Sequence, residues 1–132
     1  MKKKIGIWLD HKKAILVFLS GKSQRVEVIE SKTEQPARIP NNQPPEIKPE
    51  DFRERKYENQ LGRYYKQITS RIHEAEAVLI VGPGSAKREL QQYVSKHKDI
   101  REQNIYLETT DKMSNRQVIA KTRNYFANTA VR

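Results

Sequence analysis

Residues 77–90, AVLIVGPGSAKREL, join an apolar run to a helical pattern through Gly82, Pro83 and Gly84. A run that is apolar at every position is typical of a strand buried on both faces of a sheet. A strand that leads at once into a helix forms a βα unit, whose helix packs on the sheet. The segment therefore predicts a central strand, a tight turn that relies on the freedom of its glycines, and a helix capped by Ser85.

Three strands are predicted before this unit. Residues 3–10 alternate and indicate a half-buried strand, with Gly6 and Trp8 on the side opposite its isoleucines. Residues 14–20 are apolar almost throughout and indicate a central strand, and residues 24–31 alternate again. Because only short turns separate the three runs, we expect an antiparallel meander.

The rest of the chain predicts one long loop, one further strand and two more helices. Residues 31–50 hold five of the six prolines and predict a long exposed loop. A long helix is expected to begin at Pro49, followed later by a strand at 104–110 and a last helix capped by Ser114. The order β-β-β-α-β-α-β-α indicates a single α/β domain over residues 1–132, with a mixed sheet and helices on its faces. The apolar stripe of the long helix falls on Phe52, Leu61, Tyr65, Ile68 and Ile72.

The composition points to a polyanionic partner. The chain has 26 Lys and Arg residues, a formal net charge of +10 and a pI near 9.9. Cations that neutralise phosphates release condensed counterions, so nucleic acid is favoured over a basic surface without a partner. The absence of cysteine excludes disulfides and thiolate chemistry. No stretch of about 18 apolar residues occurs, so we expect a cytoplasmic protein that does not cross a membrane.

The candidate RNA contacts are the clustered cations. Tyr57 and Tyr64 lie among the cations of the long helix and are expected to offer bases a stacking face. The alternative is a solvated helix face, in which Glu54 and Glu58 pair with neighbouring cations. The candidates lie beside the first hairpin, along the long helix and after the glycine turn: Lys12, Lys13, Arg53, Arg55, Lys56, Arg63, Lys66, Lys87 and Arg88.

The glycine turn matches no nucleotide-binding fingerprint. Lys87 stands where G-x-G-x-x-G needs its third glycine, and Pro83 has no N–H to offer a pyrophosphate. The Walker A pattern is absent as well. We therefore predict a structural role for Gly82, Pro83 and Gly84.

Metal-dependent chemistry has few candidates in this sequence. A two-metal nuclease needs carboxylates that converge at strand ends, and Asp10, Asp111 and either Glu54 or Glu58 are the residues available. Asp10 is equally suited to a turn. The three histidines lack the spacing of metal ligands, so we predict no bound metal.

The order of the motifs is more informative than any one of them. The chain opens with IGIWLD and ILVFLSGK, places a long basic helix after the proline-rich loop, and carries YLETTD before its last helix. Together with VLIVGPGSAKREL, these segments resemble the middle domain of archaeal and eukaryotic peptide-chain release factors and of Pelota, over about residues 4–127. The resemblance implies a ribonuclease-H-like α/β fold of the kind found in translation components, with the ribosome, ribosomal RNA or transfer RNA as the partner.

In that family the loop before the long helix carries Gly-Gly-Gln, whose glutamine positions water against the peptidyl-tRNA ester. Here the loop reads Asn41-Asn42-Gln43, so side chains replace the two glycines. We therefore expect an RNA- and ribosome-binding protein without an intact catalytic tip and without a cofactor. Two alternatives stay open. One is an enzyme, either a peptidyl-tRNA hydrolase that acts through Gln43 or a nuclease that acts through Asp10, and the other is a protein-interaction module that docks through the proline-rich loop.

Overall fold

Five strands form one mixed sheet in the order β3-β2-β1-β4-β5. The computed structural model describes residues 3–31, 49–73, 75–97 and 104–128, and in the first helix it describes the side chains from Glu58 onward. The predicted order of elements is confirmed. The bounds are β1 Lys4–Leu9, β2 Lys13–Ser20, β3 Ser23–Glu30, α1 Pro49–Ile72, β4 Ala77–Gly82, α2 Ala86–His97, β5 Ile105–Thr109 and α3 Asn115–Asn128.

The sheet combines an antiparallel meander with a parallel half. β1 pairs with β2 and β2 with β3 in antiparallel register, and Ile7 lies opposite Leu16. β1 pairs with β4 and β4 with β5 in parallel register, and Ile7 lies beside Ile80. Because β1, β4 and β5 run the same way, their carboxyl ends meet at one edge of the sheet, called here the carboxyl edge.

Helices cover both faces of the sheet. On one face, α1 and α2 bury Ile5 and Ile7 of β1 together with Leu90 of α2. On the other face, α3 packs on β1 and β2 and buries Trp8 with Val118. β1 is therefore buried on both sides, and the prediction of a half-buried strand was wrong. Alternation alone cannot distinguish the two cases, since an apolar Trp8 suits either environment.

The two turns at the carboxyl edge are shaped in different ways. Oδ1 of Asp10 accepts the amides of Lys12 and Lys13, at 2.8 Å each, and so holds the β1–β2 turn. Gly82 is required for a different reason than predicted: its φ is not in the left-handed region, but a Cβ there would collide with the main-chain oxygen of Leu9. Glycine at this position permits a close approach of two backbones.

Helix α1 is longer than the sheet that it covers. The hydroxyl of Tyr64 donates to the main-chain oxygen of Asp10 at 3.0 Å, and Gln60 borders the same groove as Ser31 at the end of β3. The turns from Pro49 up to Gln60 therefore continue past the carboxyl edge, over about three turns of helix. Most of the predicted proline-rich loop, residues 32–48, lies outside the described residues.

The cap predicted for α3 is present, whereas the side-chain cap predicted at Ser85 is not. Ser114 and Gln117 form a reciprocal capping box: the amide of Ser114 donates to Oε1 of Gln117 at 2.8 Å, and the amide of Gln117 donates to Oγ of Ser114 at 3.3 Å. The main-chain oxygen of Ser85 accepts the amides of Arg88 and Glu89 and so starts α2. Its hydroxyl donates to the carboxylate of Glu89 at 2.9 Å instead of accepting a backbone amide as a cap would.

Candidate nucleic-acid interface

The carboxyl edge is built from three segments that follow the ends of parallel strands. The amide of Thr110 donates to the oxygen of Gly82 at 3.0 Å, which joins the ends of β4 and β5. The indole Nε1 of Trp8 donates to the main-chain oxygen of Asp111, also at 3.0 Å. These bonds fix the edge to the buried part of the sheet. Its segments are Asp10–Lys13, Pro83–Arg88 and Thr110–Lys112.

A hydrogen-bonded cluster centred on Glu89 joins this edge to α1. Its carboxylate accepts the hydroxyl of Tyr65 at 2.7 Å and the hydroxyl of Ser85 at 2.9 Å. Nε2 of His11 lies 3.1 and 3.2 Å from the two carboxylate oxygens. The cluster thus links the β1–β2 turn, α1 and the start of α2.

Several effects act on the pKa of Glu89. Partial burial alone would raise the pKa of this carboxyl group. The hydrogen bonds from Tyr65 and Ser85, with the charge and hydrogen bond of His11, outweigh burial and hold the pKa of Glu89 below its ordinary value. The group therefore stays ionised at neutral pH, and its carboxylate is held by Tyr65, Ser85 and His11 although the side chain is 39% exposed.

Sequence reasoning placed His11 in the hairpin turn and assigned Ser85 a capping role, but it did not find Glu89. Tyr65 and His11 lie 24 and 78 residues away from Glu89 along the chain. No local pattern joins positions this far apart. The only available signal was a Ser-x-x-x-Glu spacing across the start of α2, which is common at helix termini.

Several predicted cations lie at or near the carboxyl edge. Lys12 and Arg88 are exposed, and Lys13 is half-buried. Arg63, on α1, is exposed and borders an open groove of about 560 Å³ next to the end of β3. Lys112, at the end of the third segment, is also exposed and was not among the predicted contacts. These side chains come from four separate parts of the sequence.

Two predicted contacts are placed where a nucleic acid has little access to them. Lys87 is buried, and its Nζ donates to the main-chain oxygen of Gly84 at 2.6 Å. Tyr64 is 2% exposed and packs in the core, so its ring offers no stacking face. Both side chains close the fold at the carboxyl edge instead.

The structure does not bring the other predicted residues to the described part of the carboxyl edge. Lys66 is exposed on α1. Arg53, Arg55, Lys56 and Tyr57 belong to the part of α1 that continues past the edge, and their side chains lie outside the described residues, as do residues 41–43. The list of cations brought to the edge is therefore Lys12, Lys13, Arg63 and Arg88 from the prediction, with Lys112 added by the structure.

Acidic residues interrupt the cations. Glu30 and Asp111 are exposed at the same edge. Asp10, a candidate nuclease ligand, uses Oδ1 to hold its own turn. Among the described residues, no group of three or more His, Asp or Glu side chains is arranged to hold a metal ion. None of the helices within the described ranges is long and apolar enough to cross a membrane.

The fold has counterparts among solved structures. Pelota from Archaeoglobus fulgidus matches with a TM-score of 0.59 and 8% identity, over 94% of this chain and 31% of that protein. The archaeal translation termination factor aRF1 matches with a TM-score of 0.60 and 14% identity, over 97% and 35% of the respective chains. Thermoplasma acidophilum Pelota matches with a TM-score of 0.55 and 14% identity, over 98% and 33%.

The fold is the one found within these translation factors. The fold that the resemblance implied is thereby confirmed, and this chain spans about a third of the length of each factor. No protein-family model matches the sequence, and no curated protein matches it either.

Proposed function

We propose that this protein binds ribosomal or transfer RNA through the carboxyl edge and acts in translation without catalysing a reaction. Two lines of evidence support the proposal: a fold shared with Pelota and aRF1 over nearly the whole chain, and a strongly basic composition. A ribosomal partner implies a cytoplasmic protein.

The observation that carries the proposal is the placement of Lys12 and Arg88. They are the sequence neighbours of His11 and Glu89, whose side chains are in contact at 3.1 Å. The contact brings two exposed cations from distant parts of the sequence to one corner of the carboxyl edge. Because the backbone of this corner is tied to the core, the two charges are presented without much loss of backbone freedom on binding.

The start of α2 adds to the positive potential of this corner. The first turn of a helix carries a partial positive charge, and Arg88 lies in that turn. The carboxylate of Glu89 opposes this potential in part, since its side chain is 39% exposed, but it is held by the hydroxyls of Tyr65 and Ser85. Phosphate groups of an RNA backbone are the anions that such a corner suits, and their binding releases counterions.

The proposal is tested by charge reversal at this corner. We expect Lys12→Glu/Arg88→Glu to weaken binding to purified ribosomes, or to deacylated tRNA, by about tenfold or more at moderate salt. The double variant should also make the negative slope of log affinity against log salt less steep by about 1 to 2, measured between about 50 and 200 mM salt. Co-sedimentation with ribosomes and fluorescence titration of labelled tRNA measure the two quantities.

The matched control is Lys22→Glu/Lys96→Glu. Both lysines are exposed, lie away from the carboxyl edge, and change the net charge by the same amount. Equal loss in the two double variants would show that net charge rather than the corner governs binding. Binding to ribosomes that is insensitive to salt would instead support protein docking and contradict the RNA proposal.

The absence of catalysis has its own test. A peptidyl-tRNA release assay on isolated ribosomes should give no turnover above background with the wild-type protein. Turnover that is lost in Gln43→Ala would overturn this part of the proposal and favour a hydrolase.

A further inference from the structure

The outer edge of β3, the side of the strand that faces away from β2, has no role in the proposed RNA binding. β3 pairs with β2 on one side, and none of the described strands pairs with it on the other. The strand is eight residues long, SQRVEVIE, and its register with β2 runs one to one without a bulge. Unpaired strand edges are ordinarily protected by short length, bulges, proline or charged side chains, lysine above all. β3 is long and has no bulge, proline or lysine, and its charged residues, Arg25, Glu27 and Glu30, are of both signs.

We propose that the outer edge of β3 pairs with β3 of a second copy of this chain, antiparallel and about a two-fold axis at Val26. The two five-stranded sheets then form one continuous sheet. The interface is isologous, so every pairing of two different β3 residues occurs twice, while Val26 on the axis meets Val26 of the partner subunit once.

Charge complementarity selects this register. Strands that pair about such an axis bring together residues whose numbers differ by an even amount, because their side chains must share a face of the sheet. An axis at Val26 places Arg25 opposite Glu27 of the partner subunit, and does so twice. An axis at Glu27 would oppose two glutamates and an axis at Arg25 would oppose two arginines, both of which are destabilising.

The side chains involved are already held on the right face. The guanidinium of Arg25 lies 4.8 Å from the centre of the Phe18 ring and 3.6 Å from the carboxylate of Glu27. Glu27 is also 3.8 Å from Arg71 on α1. A second Arg25 arriving from the partner subunit would therefore enter an existing group of alternating charges.

The opposite face of β3 offers an apolar contact. Val28 is 49% exposed and is the large apolar side chain that stands out as exposed in the described part of the chain. Val26, two residues away, is half-buried against the α3 side of the core. With the axis at Val26, the two Val26 side chains lie opposite each other and Val28 lies beside them on the diagonal, where cross-strand contacts form.

The test uses two single variants with opposite charge patterns, Arg25→Glu and Glu27→Arg. The wild-type chain, whose mass is 15.5 kDa, should show a concentration-dependent species of twice that mass in light scattering coupled to gel filtration. Each variant alone opposes like charges and should lose this species at concentrations where the wild type forms it. An equimolar mixture of the two restores opposite charges across the axis and should recover it.

Two controls keep the result interpretable. Lys96→Glu changes a charge on α2 and should leave dimer formation as in the wild type. Circular dichroism melts of each variant establish that it is folded, and the recovery in the mixture cannot come from misfolded chains. A wild type that stays monomeric, single variants that stay dimeric, or a mixture that fails to recover the dimer would each overturn the proposal.

Discussion

The hydroxyl of Tyr65, on α1, donates to Oε1 of Glu89, on α2, at 2.7 Å. This bond joins the two helices that cover one face of the sheet, at the end of the sheet where the exposed cations lie. It holds α1 and the corner with Lys12 and Arg88 in one arrangement. Changes in this bond should therefore affect both the stability of the fold and the geometry of the proposed interface.

The first prediction concerns the coupling of these two residues. Tyr65→Phe should lower the free energy of unfolding by about 1 kcal/mol, since a hydrogen bond to a partly exposed carboxylate is removed. Glu89→Ala should cost at least as much, because His11 and Ser85 lose the same partner. Urea unfolding of the wild type, both single variants and the double variant measures the coupling. Additive effects would mean that the bond contributes nothing in solution.

The second prediction is an acid dependence of stability. The pKa of Glu89 is held below its ordinary value in the folded state, so the folded protein keeps this carboxylate ionised where the unfolded chain would protonate it. Its contribution is fully present above the unfolded pKa, close to 4.5, and is lost as the pH falls through the folded pKa. The melting temperature should therefore decrease less steeply between neutral pH and pH 3 in Glu89→Gln than in the wild type. Identical slopes would contradict the assigned shift.

The third prediction is an alkaline dependence due to Tyr64. Burial, with a smaller effect from the charge of Asp10, raises the pKa of Tyr64 well above its ordinary value of 10.0. The unfolded chain then loses this proton at a pH where the folded protein keeps it. Stability from this group is complete below pH 10 and decreases as the pH rises further. Tyr64→Phe should lower the free energy of unfolding by about 1 kcal/mol at neutral pH. Above pH 10 the free energy of unfolding should decrease less steeply in this variant than in the wild type, as measured by urea unfolding.

The fourth prediction contrasts the two glycines of the turn after β4. Gly82→Ala places a Cβ against the main-chain oxygen of Leu9, and neither backbone can move without disturbing β1 or β4. We expect a loss of about 2 kcal/mol or more. Gly84→Ala is the matched control, since a Cβ there meets nothing within 4 Å and the φ is not in the left-handed region. It should be neutral or stabilising by about 0.5 kcal/mol. Equal destabilisation of both variants would contradict the close-approach explanation.

The sequence predicted the elements well because their signals are local. Apolar runs, alternation and caps located the strands, the start of α1 at Pro49 and the cap at Ser114. The burial of individual polar side chains was not predictable in the same way. Lys87 has the charge of a surface residue, yet its side chain is buried and its ammonium group donates to the main-chain oxygen of Gly84, three residues earlier.

The contacts of β1 show the same limit from the other side. Gly6 looks like a weak point in a strand, but Thr122 of α3 packs so closely on it that any Cβ would clash with that side chain. The helix that covers Gly6 comes from a part of the chain more than a hundred residues later, so no local pattern around the glycine indicates it. The candidate site was predictable in part for this reason: the cations could be named, but the contact between His11 and Glu89 that gathers two of them could not.

The length of α1 has a geometric consequence for its outer turns. Tyr64 and Tyr65 fix the rotation of the inner half, through Asp10 and Glu89. A helix turns through about 100° with each residue. One residue inserted near position 60 would therefore leave the core intact but rotate the side chains of the outer turns by about 100° around the helix axis. The spacing between the tyrosines and Pro49 sets the direction in which the tip of the helix faces.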